Sequence, residues 1–253
     1  MERLAEAASG DSAAEAAPAA HPGWGELRLP APAVSAELTV RVWSPAGSTS
    51  RVLVAHDGSD YDRHGELGRF AATSIAAGRV PPFHLVLLPA GERHEWYSAS
   101  AAYARALTTQ ILPRLVAELD AAAPVIGAGV SLGALAMLHA QRRAPERFAG
   151  LLLQSGSFFQ PRHDAQESGF ARYQRIVRFT RQVLRSASGP AVPVAMTCGR
   201  IEENLANNRD MAGALREQGY DVSFAETDEG HNWINWRDAL DPHLTGLLQR
   251  VWS

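Results

Sequence analysis

The chain has 253 residues, 46% of them hydrophobic, which is enough to bury a large core within one domain. Its formal net charge of -3 gives no indication of affinity for nucleic acid, and its single cysteine, Cys198, can form neither an internal disulfide nor a cysteine-rich zinc cluster. All 24 basic residues are arginine, so chemistry that needs a lysine, such as a Schiff base or a P-loop, is excluded.

The first 23 residues are rich in Ala, Glu, Ser and Pro, a composition that predicts a flexible tail. They contain no basic segment followed by an apolar one, so a secretory signal is not predicted. No apolar run approaches the 18 to 20 residues that cross a membrane. We therefore expect a cytoplasmic protein without a membrane partner.

After this tail, the hydrophobic pattern predicts strands that alternate with helices. Two segments alternate apolar and polar residues, as half-buried antiparallel strands do, at 25–30 and 36–43. Six continuous apolar runs, typical of buried parallel strands, follow at 51–56, 83–90, 124–129, 150–155, 192–197 and 221–226. Helices are predicted at 66–78, 99–120, 132–143, 166–187, 202–218 and 233–251. This pattern predicts a single α/β domain over residues 24–253, with a mostly parallel central sheet and helices on both faces.

The segment GAGVSLG, residues 127–133, fits two glycine motifs. As a dinucleotide-binding loop it would need a third glycine where Leu132 stands, and it would normally occur in the first strand–helix unit. As G-x-S-x-G it is a nucleophile elbow, which requires a strand before the serine and a helix after it. The apolar run 124–129 and the predicted helix 132–143 supply both, so the elbow with Ser131 as nucleophile is favoured.

A nucleophilic serine needs a general base, and the base needs an acid that orients it. His231 lies between the last predicted strand and the last helix, where this arrangement requires its base. Two adjacent carboxylates, Glu202 and Glu203, follow the strand at 192–197 and are both candidates for the acid.

Four motifs in chain order resemble the esterase D-type α/β-hydrolases, and most closely their enterochelin (ferric enterobactin) esterase branch. They are the elbow GAGVSLG, the segment QSGS at 154–157, GRIE followed by an asparagine-containing helix, and GHNWINWR around His231. The resemblance implies an α/β-hydrolase fold with a cap at about 159–190. It also implies Glu202 as the acid, and an oxyanion hole formed by the backbone N–H groups of Ser59 and Leu132.

The expected cap is basic, with six arginines against Asp164 and Glu167. We expect either a solvated surface or a cover that attracts anionic substrates. The candidate substrate-binding residues are Arg93, Ser157, Arg172, Arg175 and Trp233. The acidic segment 57–66 does not match a calcium-binding loop, and no metal site is predicted.

The function expected from these motifs is a serine esterase that cleaves a carboxylic ester or lactone through an acyl-enzyme, and the resemblance suggests a siderophore-type ester. Two alternatives remain. An acyltransferase would use the same triad but transfer the acyl group to an alcohol instead of water. A non-catalytic binding protein on a hydrolase scaffold would not use the triad. No cofactor is expected, the predicted partner is a small ester, and the sequence gives no oligomeric state.

Overall fold

The computed structural model describes residues 23–252, within which eight strands form one sheet. The strands are β1 Gly23–Ala31, β2 Ala36–Ser44, β3 Val52–Ala55, β4 His84–Leu87, β5 Val125–Val130, β6 Phe148–Gln154, β7 Pro193–Gly199 and β8 Asp221–Thr227. Their order across the sheet is β1-β2-β4-β3-β5-β6-β7-β8. β1 and β2 are antiparallel to their neighbours, and the remaining strands are parallel. All eight predicted strands are present.

The order of the strands opens a crevice at the carboxyl edge of the sheet, where a ligand can bind. The chain passes from β3 to β4 on one side and then returns to β5 on the other side of β3. Loops that leave the carboxyl ends of β3 and β5 therefore diverge, and a crevice opens between them. The loops after β6, β7 and β8 emerge at the same edge, because these strands are also parallel.

The helices cover both faces of the sheet. Their bounds are α1 Gly58–Arg63, α2 Leu67–Ala76, α3 Arg93–Trp96, α4 Ala101–Arg105, α5 Leu112–Glu118, α6 Leu132–Arg143, α7 Tyr173–Leu184, α8 Leu205–Glu217, α9 Trp233–Asp238 and α10 Thr245–Trp252. A π-helical stretch, Ala106–Ile111, joins α4 to α5, and a second, Leu240–Leu244, lies between α9 and α10. None of the helices between residues 23 and 252 is long and apolar enough to cross a bilayer.

The observed helices differ from the predicted ones at several places: α1 and α3 were not predicted, and the predicted helices 99–120 and 233–251 are each divided by a π-helical stretch. α1 was not predicted, because its sequence GSDYDR has no apolar periodicity. α8 begins at Leu205 and not at residue 202, since the intervening residues form a turn in which the N–H of Gly199 donates to the carboxylate of Glu202. The helix predicted over 166–187 is shorter, because a 3₁₀ turn, Ala165–Gly169, occupies its start and α7 spans only Tyr173–Leu184. The flexible tail predicted over residues 1–23 lies, apart from Gly23, outside the described residues.

Helix α6 is held on all sides by the core. Ten of its twelve residues are buried, and the six residues of β5 before it are buried as well. A helix whose residues are buried around its whole circumference lies in the interior of the protein. The turn between β5 and α6, which carries Ser131, is therefore fixed at both ends by packed elements.

Candidate active site

Ser131 occupies a strained turn between β5 and α6. Its backbone angles are φ 54° and ψ -121°, a combination that residues with a side chain rarely adopt. The turn is tight enough to require glycine nearby, because a Cβ on Gly129 would lie 2.4 Å from the carbonyl carbon of Gly133. The N–H of Ser131 donates to the carbonyl of Gln154 at 2.9 Å, which ties the turn to β6. This is the geometry of a nucleophile elbow.

Three side chains form a continuous hydrogen-bonded chain at this edge of the sheet. The hydroxyl of Ser131 donates to Nε2 of His231 at 3.1 Å, and Nδ1–H of His231 donates to Oε2 of Glu202 at 2.7 Å. They come from the loops after β5, β8 and β7, respectively. The arrangement can increase the nucleophilicity of a serine hydroxyl, since the imidazole can accept its proton and the carboxylate fixes the imidazole.

Glu202 is buried and accepts hydrogen bonds on both carboxylate oxygens. Its Oε1 accepts from the hydroxyl of Ser155 at 2.7 Å, from the N–H of Gly199 at 2.7 Å and from Nδ2 of Asn235 at 3.2 Å. Burial alone would raise the pKa of this carboxyl, but the hydrogen bonds from His231, Ser155 and Gly199 outweigh it and hold the pKa of Glu202 below its usual value. Glu202 is thus ionised at neutral pH.

The loops that carry the acid and the base touch each other. A Cβ on Gly199 would lie 1.8 Å from the carbonyl oxygen of Glu229, so only glycine permits this contact. Asn235 strengthens it, because its Nδ2 also donates to the carbonyl of Gly230 at 3.0 Å. Sequence reasoning did not assign a role to Asn235, although it lies within the motif around His231.

Sequence reasoning also assigned no role to Trp236 and Ser155 in supporting Glu202. Trp236 donates its indole N–H to the hydroxyl of Ser155 at 2.9 Å, and its ring meets that of His231 edge-on with centroids 5.0 Å apart. Ser155 therefore accepts from Trp236 and donates to Glu202. The segment QSGS and the second tryptophan of GHNWINWR were the available signals, and only the fold shows that they meet.

The N–H groups proposed for the oxyanion hole lie at two helix starts. Leu132 is the first residue of α6, and Ser59 is the second residue of α1. N–H groups in the first turn of a helix have no acceptor within that helix, so both can bind a substrate oxygen. The N–H of Gly58 donates instead to the carbonyl of Leu88 at 2.9 Å.

Arg93 holds the loop between β3 and α1. Its guanidinium forms a bidentate ion pair with the buried carboxylate of Asp57, at 2.8 Å and 3.0 Å. Asp57 has a left-handed backbone, with φ 51°, and packs beside the elbow, because a Cβ on Gly133 would lie 3.1 Å from Oδ2 of Asp57. Arg93 was predicted to bind substrate; the structure pairs it with Asp57, and it is not among the residues that line the cavity described next.

A cavity of about 490 Å³ opens beside Ser131. Ser157 lines it, with its hydroxyl oxygen 3.2 Å from that of Ser131. The lining combines apolar groups with carboxylates and comprises Ser131, Leu132, Ser157, Phe159, Asp164, Gln166, Glu167, Phe170, Ile201, Glu202, Glu203, Asn204, Gly230 and His231. Several of these residues belong to the segment 159–190, so this segment forms one wall of the cavity.

The other predicted substrate-binding residues do not line this cavity. Arg172 and Arg175 form ion pairs with Glu95 at 2.5 Å and 2.6 Å, and Arg175 also donates to the carbonyl of Ser98. Trp233 packs against the rings of Tyr61 and Trp236, with centroids 5.6 Å and 4.9 Å away. The arginines therefore link the cap to α3, and Trp233 belongs to the packing under α9.

A family model described as a putative esterase matches residues 31–247. The chain belongs to this esterase family. The iron(III) enterobactin esterase of Dickeya dadantii is 30% identical over 213 residues, which cover 78% of this chain and 47% of the relative. The chain thus spans about half the length of this curated relative.

Solved structures confirm the predicted α/β-hydrolase fold of this esterase-family chain. The enterobactin esterase of Shigella flexneri, crystallised in the presence of enterobactin, matches with a TM-score of 0.77 and 21% identity, over 91% of this chain and 60% of that chain. A ferulic acid esterase matches with a TM-score of 0.76 and 18% identity, over 91% of this chain and 98% of that chain. At these identities the likeness concerns the fold alone.

Proposed function

We propose that this protein is a serine esterase that cleaves a carboxylic ester or lactone through an acyl-enzyme on Ser131. The observation that carries the proposal is the hydrogen-bonded chain from Ser131 through His231 to the ionised Glu202, built on a strained elbow. Membership of the esterase family supports ester cleavage as the reaction.

In the proposed mechanism, Nε2 of His231 accepts the hydroxyl proton as the oxygen of Ser131 attacks the ester carbonyl. The backbone N–H groups of Leu132 and Ser59 stabilise the oxyanion of the tetrahedral intermediate. His231 then donates the proton to the leaving alcohol, and the acyl group stays on Ser131. A water molecule, deprotonated by His231, releases the acid by the same steps, while Glu202 remains a carboxylate and keeps Nδ1 protonated.

The relatives' names make a siderophore-type ester one candidate substrate. The carboxylates along the cavity do not favour an anionic catecholate, however. We therefore put a simpler carboxylic ester first. An activated neutral ester, such as p-nitrophenyl butyrate, is the appropriate substrate for testing the mechanism itself.

We predict that Ser131→Ala lowers kcat on p-nitrophenyl butyrate by about 10⁴-fold or more, because the covalent route is lost while the oxyanion donors remain. A fluorophosphonate should add its mass to Ser131 in the wild type and not in this variant. Ser157→Ala is the matched control, since its hydroxyl lies 3.2 Å from that of Ser131 and is the nearest competing nucleophile. This control should still be labelled. Labelling of Ser157, or a Ser131→Ala variant with a tenth of wild-type activity, would contradict the assignment.

A further inference from the structure

The charge of the cavity beside Ser131 is opposite to the net charge of the segment 159–190, which forms one of its walls. Segment 159–190 contains six arginines, yet the titratable groups it contributes to the cavity wall are Asp164 and Glu167. Glu203 adds a third carboxylate from the loop after β7. A substrate next to Ser131 therefore meets carboxylates and not guanidinium groups.

None of the six arginines is among the residues that line this cavity. Arg172 and Arg175 are bound to Glu95 on α3. Arg162, Arg181 and Arg185 line a different cavity, which shares only Phe159 with the first. The guanidinium groups of these five arginines thus lie at the contact with α3 or at the second cavity, and Arg178 is an exposed residue of α7.

The hydrogen bonds to two of these cavity carboxylates, Asp164 and Glu203, come from neutral donors. Asp164 is buried, and its oxygens accept from neutral donors, the N–H of Gln160 at 2.6 Å and Nδ2 of Asn207 at 2.8 Å and 2.9 Å. Glu203 accepts from the amide of Gln166 at 3.4 Å. Hydrogen bonds of this kind stabilise a carboxylate without cancelling its field, so the negative potential extends into the cavity.

Aromatic and apolar groups share the same walls. Phe159 and Phe170 line the cavity, and Ile201 lies at it with 77% of its surface exposed. A ring face attracts a cation, and proteins bind quaternary ammonium groups against aromatic rings in this way. The triad marks this cavity as the place where the ester group is held.

We propose that this site is selective for esters that carry a positively charged alkylammonium group on the part that occupies the cavity, and that it discriminates against anionic esters. The proposal rests on the proposed function, since it concerns the same cavity. Glu167 and Glu203 are its specificity-determining residues, with Asp164 as a buried contribution to the field.

The test uses isosteric esters that differ only in charge. One series varies the alcohol and compares the choline, 3,3-dimethylbutyl and 2-sulfoethyl esters of butyric acid. The second varies the acyl group and compares phenyl esters of 4-trimethylammoniobutyric, 5,5-dimethylhexanoic and 4-sulfobutyric acids. In at least one series, kcat/KM should fall by about tenfold from cation to neutral and again from neutral to anion, because each carboxylate acts over a few ångströms in a partly solvated site. Salt should reduce these ratios.

Variants of the cavity carboxylates test whether the charge preference in kcat/KM arises from the cavity. Glu203→Gln and Glu167→Gln should each lower the ratio of cation to anion by about threefold to tenfold, since each removes one nearby charge. Glu217→Gln is the control, because Glu217 is an exposed residue at the end of α8 and is not part of the cavity lining. It should leave the ratio unchanged.

The outcomes separate this proposal from the proposed function. If neutral esters are cleaved and the activity depends on Ser131, but neither series shows the order of charges, the selectivity proposal is overturned and the esterase proposal stands. An anion preference, or equal effects of Glu203→Gln and Glu217→Gln, overturns it as well. If no ester in either series is cleaved, both proposals fail.

Discussion

Adjacent residues Glu202 and Glu203 have opposite environments. Glu202 is buried against His231, whereas Glu203 is exposed and faces the cavity. The three donors on Oε1 of Glu202 decide what a glutamine would do there. Its amide oxygen would take the position of Oε1, because Ser155, Gly199 and Asn235 all donate to it. The amide NH₂ would then face Nδ1 of His231.

We therefore predict that Glu202→Gln forces the wrong tautomer on His231. With Nδ1 as the acceptor, the imidazole proton moves to Nε2, which can then no longer accept the proton of Ser131. The value of kcat on a neutral ester should fall by about 10³- to 10⁴-fold, as in other triads with an amide in place of the acid. Steady-state kinetics of this variant beside Glu203→Gln provide the test. A larger loss in Glu203→Gln would reverse the assignment, and small losses in both would indicate a dyad of Ser131 and His231.

At the scale of elements, α3 joins the segment 159–190 to the loop that carries Ser59, whose N–H is a proposed oxyanion donor. Its Glu95 binds Arg172 and Arg175 from the cap, and its Arg93 binds Asp57. Asp57 is also held by its own N–H, which donates to the hydroxyl of Tyr97 at 3.3 Å. These contacts stabilise a left-handed residue directly before Gly58 and Ser59, and so they set the direction of the Ser59 N–H.

Arg93 is accordingly predicted to be a positioning residue. Arg93→Lys keeps the charge but loses the planar fork that holds both oxygens of Asp57. We expect kcat to fall by about 10- to 100-fold with little change in KM, because an oxyanion donor contributes mainly in the transition state. Arg172→Lys alters only an exposed ion pair and should have little effect on kcat. A rise in KM at unchanged kcat would show instead that Arg93 binds substrate.

The elements show what the sequence could and could not predict. Buried parallel strands are continuous apolar runs and half-buried antiparallel strands alternate, so all eight strands were found from local patterns. The short polar helix α1 has no such pattern and depends on Asp57 being held by Arg93, 36 residues away. The direction of the cap arginines depends on Glu95, whose partner Arg175 is 80 residues along the chain. Contacts at these separations are products of the fold and leave no local periodicity.

At the scale of the whole molecule, a buried histidine connects the sheet, α4 and the elbow. Nδ1–H of His56 donates to the carbonyl of Gly133 at 2.9 Å, and the hydroxyl of Tyr103 donates to Nε2 at 2.9 Å. Both ring nitrogens are thus satisfied in the neutral form. Burial lowers the pKa of His56 to about 4, against a hydrogen bond to Gly133 and the charge of Asp57 that act in the opposite direction.

This histidine should make the fold sensitive to acid. Between pH 6.5 and 4 the unfolded chain binds a proton at residue 56 that the folded chain does not, so the free energy of unfolding falls as the pH falls. The difference between 6.5 and about 4 corresponds to a contribution of about 3 kcal/mol. His139, buried in α6 with its pKa also lowered to about 4 by burial and by the charges of Arg143 and Arg175, should act in the same direction.

Urea unfolding of the wild type and of His56→Gln at pH 7 and pH 4 measures this contribution. Glutamine can also donate and accept at this position, so the variant should still fold, although it is expected to be less stable at pH 7. Between pH 7 and pH 4, the free energy of unfolding of His56→Gln should fall by about 3 kcal/mol less than that of the wild type, because the variant lacks the titrating group. The exposed residue His64 provides the control, and His64→Gln should lose as much as the wild type. Equal losses in the wild type and His56→Gln would mean that His56 is protonated to the same extent in the folded and unfolded chains, which its burial between Gly133 and Tyr103 does not allow.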